Sequence, residues 1–114
     1  MIALREYVDR DGRSPFARWF DRLDAQAAAR VATALIRMEQ GNLSGIKSVG
    51  AGVSEYRIDF GPGYRLYLGR DDEALVVLLG GGTKRRQRQD IETARDRWRD
   101  YKQRKKRETR KPCP

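Results

Sequence analysis

Hydrophobic residues in the first third of the chain recur at the spacing of amphipathic helices. Between residues 16 and 23, large apolar side chains fall at intervals of three, four and seven, which places them on one helical face. Ser14 can cap this helix, and Pro15 suits its first position because the missing N–H is tolerated there. A second helix is predicted from an Asp24 cap to Gly41. Its apolar face consists of Ala28, Val31, Leu35 and Met38.

Short alternating or wholly apolar segments, separated by turn signals, predict the strands. Residues 1–8 predict one strand, and the small-residue loop after the second helix allows a short one at Ile46–Val49. Three more are predicted at Val53–Phe60, Tyr64–Arg70 and Ala74–Leu79. Because only the short turns 61–63 and 71–73 separate these three, we expect an antiparallel meander. The glycines at 80–82 are expected to end it, after an apolar strand buried inside the sheet.

A long charged helix is predicted at 87–104, with a narrow apolar stripe that we expect to pack on its own sheet. The stripe consists of Ile91, Ala94, Trp98 and Tyr101. The predicted fold class is therefore α+β in the order β-α-α-β-β-β-α. It has an antiparallel meander sheet, a helix pair on one face and a basic C-terminal helix. We expect one domain at 1–105 and a mobile basic tail at 106–114, which has too little apolar surface to order itself.

Positive charge is concentrated in the last third of the chain. The 25 Lys and Arg outnumber the 16 Asp and Glu, and the net charge is +1 for residues 1–40, −1 for 41–80 and +9 for 81–114. A localised basic element is typical of nucleic-acid binders, although a solvated, salt-bridged helix with a charged tail has the same composition. No apolar run approaches the ~20 residues of a membrane span, and no signal-peptide stretch is recognisable. We therefore expect a cytoplasmic protein without a membrane partner.

The alternation of side chains along the meander predicts a polar face that the helix pair does not cover. Arg57, Asp59, Arg65 and Tyr67 fall on that face of two neighbouring strands. If the face is exposed, the two guanidiniums could hold one phosphate and the tyrosine could stack on a base. The alternative is an ordinary polar surface, on which Arg57 pairs with Glu55 or Asp59 and Arg65 pairs with Asp59.

The residue inventory restricts the chemistry available to this face. With no histidine and a single cysteine, a His-dependent triad, a Cys-based zinc site and most transition-metal chemistry are excluded, and no cofactor or metal is expected. Transesterification of RNA remains possible because the substrate supplies its own 2′-OH nucleophile, and cations need only orient and stabilise the phosphate. Proton transfer could fall to Glu55, Asp59, Tyr67 or Lys84, and the sequence does not choose among them.

Two segments carry a family resemblance, VSEYRIDFGPGYRLYL at 53–68 and LVVLLGGGTKRRQRQDIETARDRW at 75–98. They resemble the RelE/ParE superfamily of bacterial toxins, and within it the HigB-like branch of addiction-module killer proteins. The resemblance implies a RelE-like fold and a toxin of a type II toxin-antitoxin module that cleaves mRNA on the ribosome. The implied partners are the ribosome with its mRNA, a cognate helix-turn-helix antitoxin of HigA-like type, and operator DNA only through the antitoxin complex. The alternatives for the apolar stripe of the helix at 87–104 are that an antitoxin segment displaces it or that it docks on a second copy of the chain.

The resemblance also implies which residues act. Arg57, Arg65, Lys84 and Arg85 match the basic positions of the family and would hold the phosphate. Tyr67 and Asp59 are assigned from the pattern of the sheet face, and would position the nucleotide or move protons. Further RNA contacts would come from Lys47, Tyr64, Thr83, Arg86 and Arg88. The chain departs from RelE-like members in having Asp59 at the position of a second lysine, and in having no tyrosine or histidine within 86–97.

Two other functions fit the same sequence. One is a ParE-like inhibitor of DNA gyrase, which would use the same fold without a catalytic cluster of cations. The other is a nucleic-acid-binding module without catalysis, whose affinity would fall steeply with salt.

Overall fold

A five-stranded mixed sheet forms the centre of the protein, which a computed structural model describes over residues 1–110. The strands are β1 (Ala3–Glu6), β2 (Ile46–Ser48), β3 (Val53–Ile58), β4 (Tyr64–Asp72) and β5 (Leu75–Thr83). The helices are α1 (Pro15–Asp21), α2 (Ala25–Glu39) and α3 (Gln87–Arg110), with a 3-10 turn at Lys84–Arg86 before α3. The predicted α+β class with a C-terminal helix is confirmed. No helix within these residues is both long and apolar enough to span a bilayer.

The strand order is β1-β5-β4-β3-β2. From β2 to β5 each strand pairs antiparallel with the next, so the predicted meander is confirmed. The first strand pairs parallel with β5, from Ala3 opposite Leu75 to Glu6 opposite Leu78, and this pairing was not predicted. It makes β5 an interior strand along Leu75–Leu78, which agrees with its uniformly apolar sequence.

The helix pair begins at the predicted caps. The Ser14 hydroxyl accepts a hydrogen bond from the Ala17 N–H at 3.1 Å, and the Asp24 carboxylate accepts one from the Ala27 N–H at 2.9 Å. Gly41, with φ of +92°, turns the chain away after α2. The core that the pair covers consists of Phe16, Val31, Ala34, Met38, Ile58, Leu66, Leu68, Val76 and Leu78.

The third helix covers the opposite face of the sheet, which the sequence analysis expected to be open. Ala94 and Trp98 are buried in a second core with Tyr7, Val53, Tyr67, Val77 and Leu79. Gly69 permits this approach, because a Cβ there would lie 2.5 Å from the Trp98 ring. The expectation of an open face is therefore wrong, since the stripe of α3 packs on its own sheet.

The C-terminal boundary of α3 also differs from the prediction. The helix continues to Arg110 rather than ending at 104, so the first residues of the expected tail are helical. Residues 111–114 lie outside the described residues, and mobility from residue 106 stays a prediction.

The three glycines lie inside β5 rather than ending the meander. A Cβ at Gly81 would lie 2.4 Å from the Trp19 ring of α1, and one at Gly82 would lie 2.0 Å from the Asp90 carboxylate of α3. Glycine is required here because side chains from both helix layers lie directly on the strand. The strand therefore continues through the glycines, and the prediction that they end the meander is wrong.

Candidate nucleic-acid interface

Arg57 and Arg65 occupy one cross-strand row of the sheet. Their Cα atoms are register partners, and Arg65 is in turn the partner of Gly82 in β5. Directly opposed residues of paired strands lie on the same face of the sheet, so the prediction that Arg57 and Arg65 share a face is confirmed. Their surroundings differ, because β4 is an interior strand beneath the start of α3. Arg57 is exposed, whereas Arg65 is only 2% exposed, so the prediction that both guanidiniums face solvent is wrong.

Arg65 is held by a buried ion pair. Its Nε donates to Glu55 Oε1 at 3.2 Å, and Nη1 donates to the Gly63 carbonyl at 3.3 Å. The second oxygen of Glu55 accepts a hydrogen bond from the Gln87 side-chain amide at 2.8 Å. The partner of Arg65 is thus Glu55 rather than Asp59, and the pair connects β3 and β4 to the first residue of α3.

Tyr67 is also buried, although the sequence analysis expected an exposed ring that could stack on a base. Its side chain is 1% exposed under α3, and its hydroxyl has no hydrogen-bond partner among the described residues. Burial, followed by the nearby carboxylates of Glu55 and Asp90, raises the pKa of the Tyr67 hydroxyl, which therefore stays protonated at neutral pH. The expected stacking role is wrong because α3 occupies that space.

The remaining cations assigned to phosphate or RNA are exposed. They are Lys47, Arg57, Lys84, Arg85, Arg86 and Arg88. Thr83 is half-buried at the end of β5, and Asp59 is exposed just after β3. Tyr64 is half-buried on the other face, where its ring lies 6.5 Å from that of Phe60 and 6.3 Å from that of Trp19. The structure therefore does not bring Tyr64 to the cationic face.

The Gly63 carbonyl joins the β3–β4 turn to the 3-10 turn. It accepts hydrogen bonds from the Lys84 backbone N–H at 2.9 Å and from Arg65 Nη1. Because the row from Arg57 through Arg65 reaches Gly82, the residues that follow β5 emerge at the same end of the sheet. We call Arg57, Lys84 and Arg85 the cationic sheet end. Arg65 is buried beneath this surface and stabilises the β3–β4 turn, whose Gly63 carbonyl also accepts the Lys84 backbone N–H.

Two arginines of α2 that the sequence analysis missed lie beside Arg57. A shallow cleft of about 390 Å³ is lined by Arg30, Arg37, Arg57 and Asp59 among others. The Arg30 guanidinium lies 4.8 Å from the centre of the Phe60 ring, a cation–π distance. Arg30 and Arg37 are seven residues apart on α2, so helical periodicity could have placed them on one face.

The exposed groups suit anion binding better than proton transfer. Arginine and lysine side chains bind phosphate oxygens with charge-assisted hydrogen bonds. Of the four proton-transfer candidates, Asp59 and Lys84 are exposed, whereas Glu55 and Tyr67 are buried. Within residues 1–110 no group of three or more His, Cys, Asp or Glu could hold a metal ion.

A second cationic region that the sequence analysis did not identify lies between α1 and α3. Arg18 of α1 and Arg22, which caps the end of that helix, face it from one side. Arg86, Asp90 and Arg97 face it from the other side. The spacing of Arg18 and Arg22, four residues apart, places them together on one helical face. Their proximity to α3 could not be read from the sequence, because packing of α3 on its own sheet does not fix which residues of α1 lie beside it.

Comparison with known proteins identifies a relative of this chain. No protein-family model matches the chain. An uncharacterized protein of Haemophilus influenzae (strain Rd) is 42% identical over 81 residues, which cover 70% of this chain and 82% of the relative. Identity at this level over most of both sequences indicates common ancestry. The chain therefore belongs to the same family as this Haemophilus influenzae protein.

Proposed function

We propose that the protein is the toxin of a type II toxin-antitoxin module and cleaves mRNA on the ribosome without a metal ion. The observation that carries this proposal is the convergence of exposed Arg57, Lys84 and Arg85 at one end of the sheet. The resemblance to RelE/ParE toxins of the HigB-like branch supports it, as does the order of helices around the meander, which suits a RelE-like topology. The proposal implies a cytoplasmic location and a helix-turn-helix antitoxin as partner.

The proposed reaction uses the ribose of the substrate as nucleophile. The 2′-oxygen attacks the adjacent phosphorus, a 2′,3′-cyclic phosphate forms, and the bond from phosphorus to the 5′-oxygen breaks. The proton leaves the 2′-OH and another reaches the 5′-oxygen. Arg57, Lys84 and Arg85 stabilise the charge that grows on the phosphate oxygens. Asp59 and Lys84 are the candidates for proton transfer that solvent reaches, and Arg65 is a positioning residue.

Arg57→Ala tests the proposal most directly, because Arg57 is exposed and its loss leaves the core intact. Removing one phosphate contact should lower the cleavage rate by about 10²–10³-fold. The measurement is a primer-extension map of mRNA ends after brief induction of the protein. Wild type should cut within codons of translated mRNA, and the variant should not.

Arg99→Ala is the matched control, since Arg99 is an exposed arginine on the outer part of α3 that pairs with Asp96 of the same helix. It should cut as wild type does. Growth arrest with intact mRNA and broken DNA, persisting in Arg57→Ala, would reject the nuclease and favour a gyrase inhibitor.

A nucleic-acid-binding module without catalysis is the second candidate. The burial of Arg65 and Tyr67 favours it, because both were expected to contact substrate on the open sheet face and neither is exposed there. In that case the protein would bind single-stranded RNA through the cationic sheet end, and the primer-extension map would show no new ends.

A further inference from the structure

A cleft of about 340 Å³ opens between α1 and α3, beside the glycine segment of β5. Arg18 lines it from α1, Arg22 from the end of that helix, Arg86 from the 3-10 turn and Arg97 from α3. Arg57 and Lys84 do not line it, so it is separate from the centre of the cationic sheet end. Its volume lies within the range of small-ligand pockets.

The cleft carries an excess of positive charge. None of its four arginines forms an ion pair with a carboxylate within residues 1–110. Only Asp9 and Asp90 line the cleft with negative charge, which leaves a formal surplus of two. One oxygen of Asp9 already accepts the backbone N–H groups of Asp11 and Arg13, at 2.9 and 3.0 Å. Arg86 donates to the Gln89 side-chain carbonyl at 3.3 Å and Arg97 to the Leu79 carbonyl. Both acceptors are neutral, so the positive charge of the four arginines can still be paired with an anion.

Arg97 is the most deeply placed of these arginines. Its Nη1 lies over Gly80 and donates to the Leu79 carbonyl at 2.9 Å. Burial lowers the pKa of Arg97, while the charges of Tyr7, Asp90 and Asp9 act in the opposite direction. A partly desolvated guanidinium without a carboxylate hydrogen bond is costly unless an anion compensates it.

The Tyr67 hydroxyl provides a second, independent indication of a ligand. The residue is 1% exposed and lines the cleft, and its hydroxyl has no hydrogen-bond partner among the described residues. Buried hydroxyls are almost always hydrogen-bonded in folded proteins. The glycines of β5 carry no side chains here, and Arg97 and Asp90 of α3 lie directly on Gly80 and Gly82. A ligand oxygen that reaches the Tyr67 hydroxyl from the cleft would give it a hydrogen-bond partner.

We propose that this cleft binds the phosphate group of a nucleotide, with Arg18, Arg22 and Arg86 on the phosphate oxygens and Tyr67 donating its hydroxyl to the ligand. Guanidinium forks match the geometry of phosphate oxygens, and the hydroxyl adds a neutral donor. The phosphate belongs either to a free mononucleotide or to the backbone of a short RNA. The site does not depend on the proposed nuclease activity, because none of its contacts requires a reaction.

Isothermal titration of the full chain with 5′-AMP and with a five-nucleotide RNA tests the site. Arg22→Ala should weaken binding about tenfold, the effect of losing one charge-assisted hydrogen bond. Tyr67→Phe should weaken it about two- to tenfold without lowering stability in urea, since the hydroxyl bonds to no protein group. Arg99→Ala, which removes the same charge outside the cleft, should bind as wild type does.

The results distinguish a mononucleotide from an RNA backbone as the source of the phosphate. They also distinguish this phosphate site from the proposed nuclease function. Saturable binding of 5′-AMP that is sensitive to Arg22→Ala supports a mononucleotide site, and binding of the RNA alone with that sensitivity supports a backbone phosphate. Binding of neither probe, or equal losses in Arg22→Ala and Arg99→Ala, would overturn the inference. Arg57→Ala should leave 5′-AMP binding unchanged, so failure of the nuclease proposal is distinguishable from failure of this one.

Discussion

The buried ion pair between Glu55 and Arg65 shows how two residues control the local structure around them. Two charges removed from water are stable only when each makes further hydrogen bonds. Gln87 provides one to the carboxylate, and the Gly63 carbonyl accepts one from the guanidinium. The pair therefore holds together the meander, the turn before Lys84 and the start of α3.

Removing one member of this pair should be strongly destabilising. Glu55→Ala leaves the guanidinium of Arg65 buried without a counter-charge, which should lower the free energy of unfolding by about 3–5 kcal/mol. Urea denaturation at neutral pH measures the change. Asp59→Ala, at an exposed carboxylate after the same strand, should change it by less than about 0.5 kcal/mol. Equal effects of the two variants would contradict the assigned role of the pair.

The sequence was sufficient to predict on which face Arg57 and Arg65 lie, because side-chain alternation is a local property of strands. It was not sufficient to predict that Arg65 is buried, because burial depends on which element covers the face. A glycine inside a strand, Gly69, was the available signal that a bulky side chain approaches there.

At the scale of elements, α3 is attached to the rest of the protein by its apolar stripe and by polar contacts along its middle. Arg95 Nε donates to the Val49 carbonyl at 3.1 Å. Further along, Tyr101 donates its hydroxyl to Asp71 at 2.7 Å, and Tyr7 of the loop after β1 donates to Asp100 at 2.7 Å. The stripe and its packing on the chain's own sheet are confirmed, whereas these polar contacts involve segments far apart in the chain and were not predicted.

The carboxylates that hold α3 should make the protein sensitive to acid. The hydrogen bond from Lys105 and then that from Tyr101 lower the pKa of Asp71, and the hydrogen bond from Tyr7 lowers that of Asp100. A carboxyl whose pKa is lower in the folded state adds stability above its unfolded pKa. That stability is lost as pH falls through the folded pKa, which for both groups lies below the ordinary aspartate pKa of 3.8.

Urea denaturation from pH 7 to pH 3 measures this loss. The double variant Asp71→Asn with Asp100→Asn should be less stable than wild type at pH 7 and should lose less stability on acidification. Burial raises the pKa of Asp90, so this group adds stability as the pH falls. Because it is present in both proteins, it does not affect the comparison. If the free energy of unfolding falls equally in both proteins between pH 7 and pH 3, the acid sensitivity does not come from these contacts.

At the scale of the whole molecule, two helical layers enclose one sheet and leave cations at its end and in the cleft between α1 and α3. The fold class and the meander followed from periodicity, because both depend on local patterns of apolar residues. The parallel pairing of β1 with β5 and the α1–α3 cleft did not, because they arise between segments far apart in the chain. The net charge of +9 on residues 81–114 indicated an anionic partner without locating the contacts.

Salt dependence tests whether RNA binds at the cationic sheet end or responds only to net charge. For single-stranded RNA the slope of log affinity against log salt is about −0.7 per phosphate neutralised. Replacing Arg57, Lys84 and Arg85 together by alanine should therefore make the slope shallower by about 2. Fluorescence anisotropy of a labelled RNA between ~50 and ~200 mM salt measures it. A control that replaces the exposed Arg13, Arg70 and Arg99 removes equal charge and should retain the wild-type slope. If both triple variants become shallower to the same extent, RNA is attracted by overall charge and the cationic sheet end is not its binding surface.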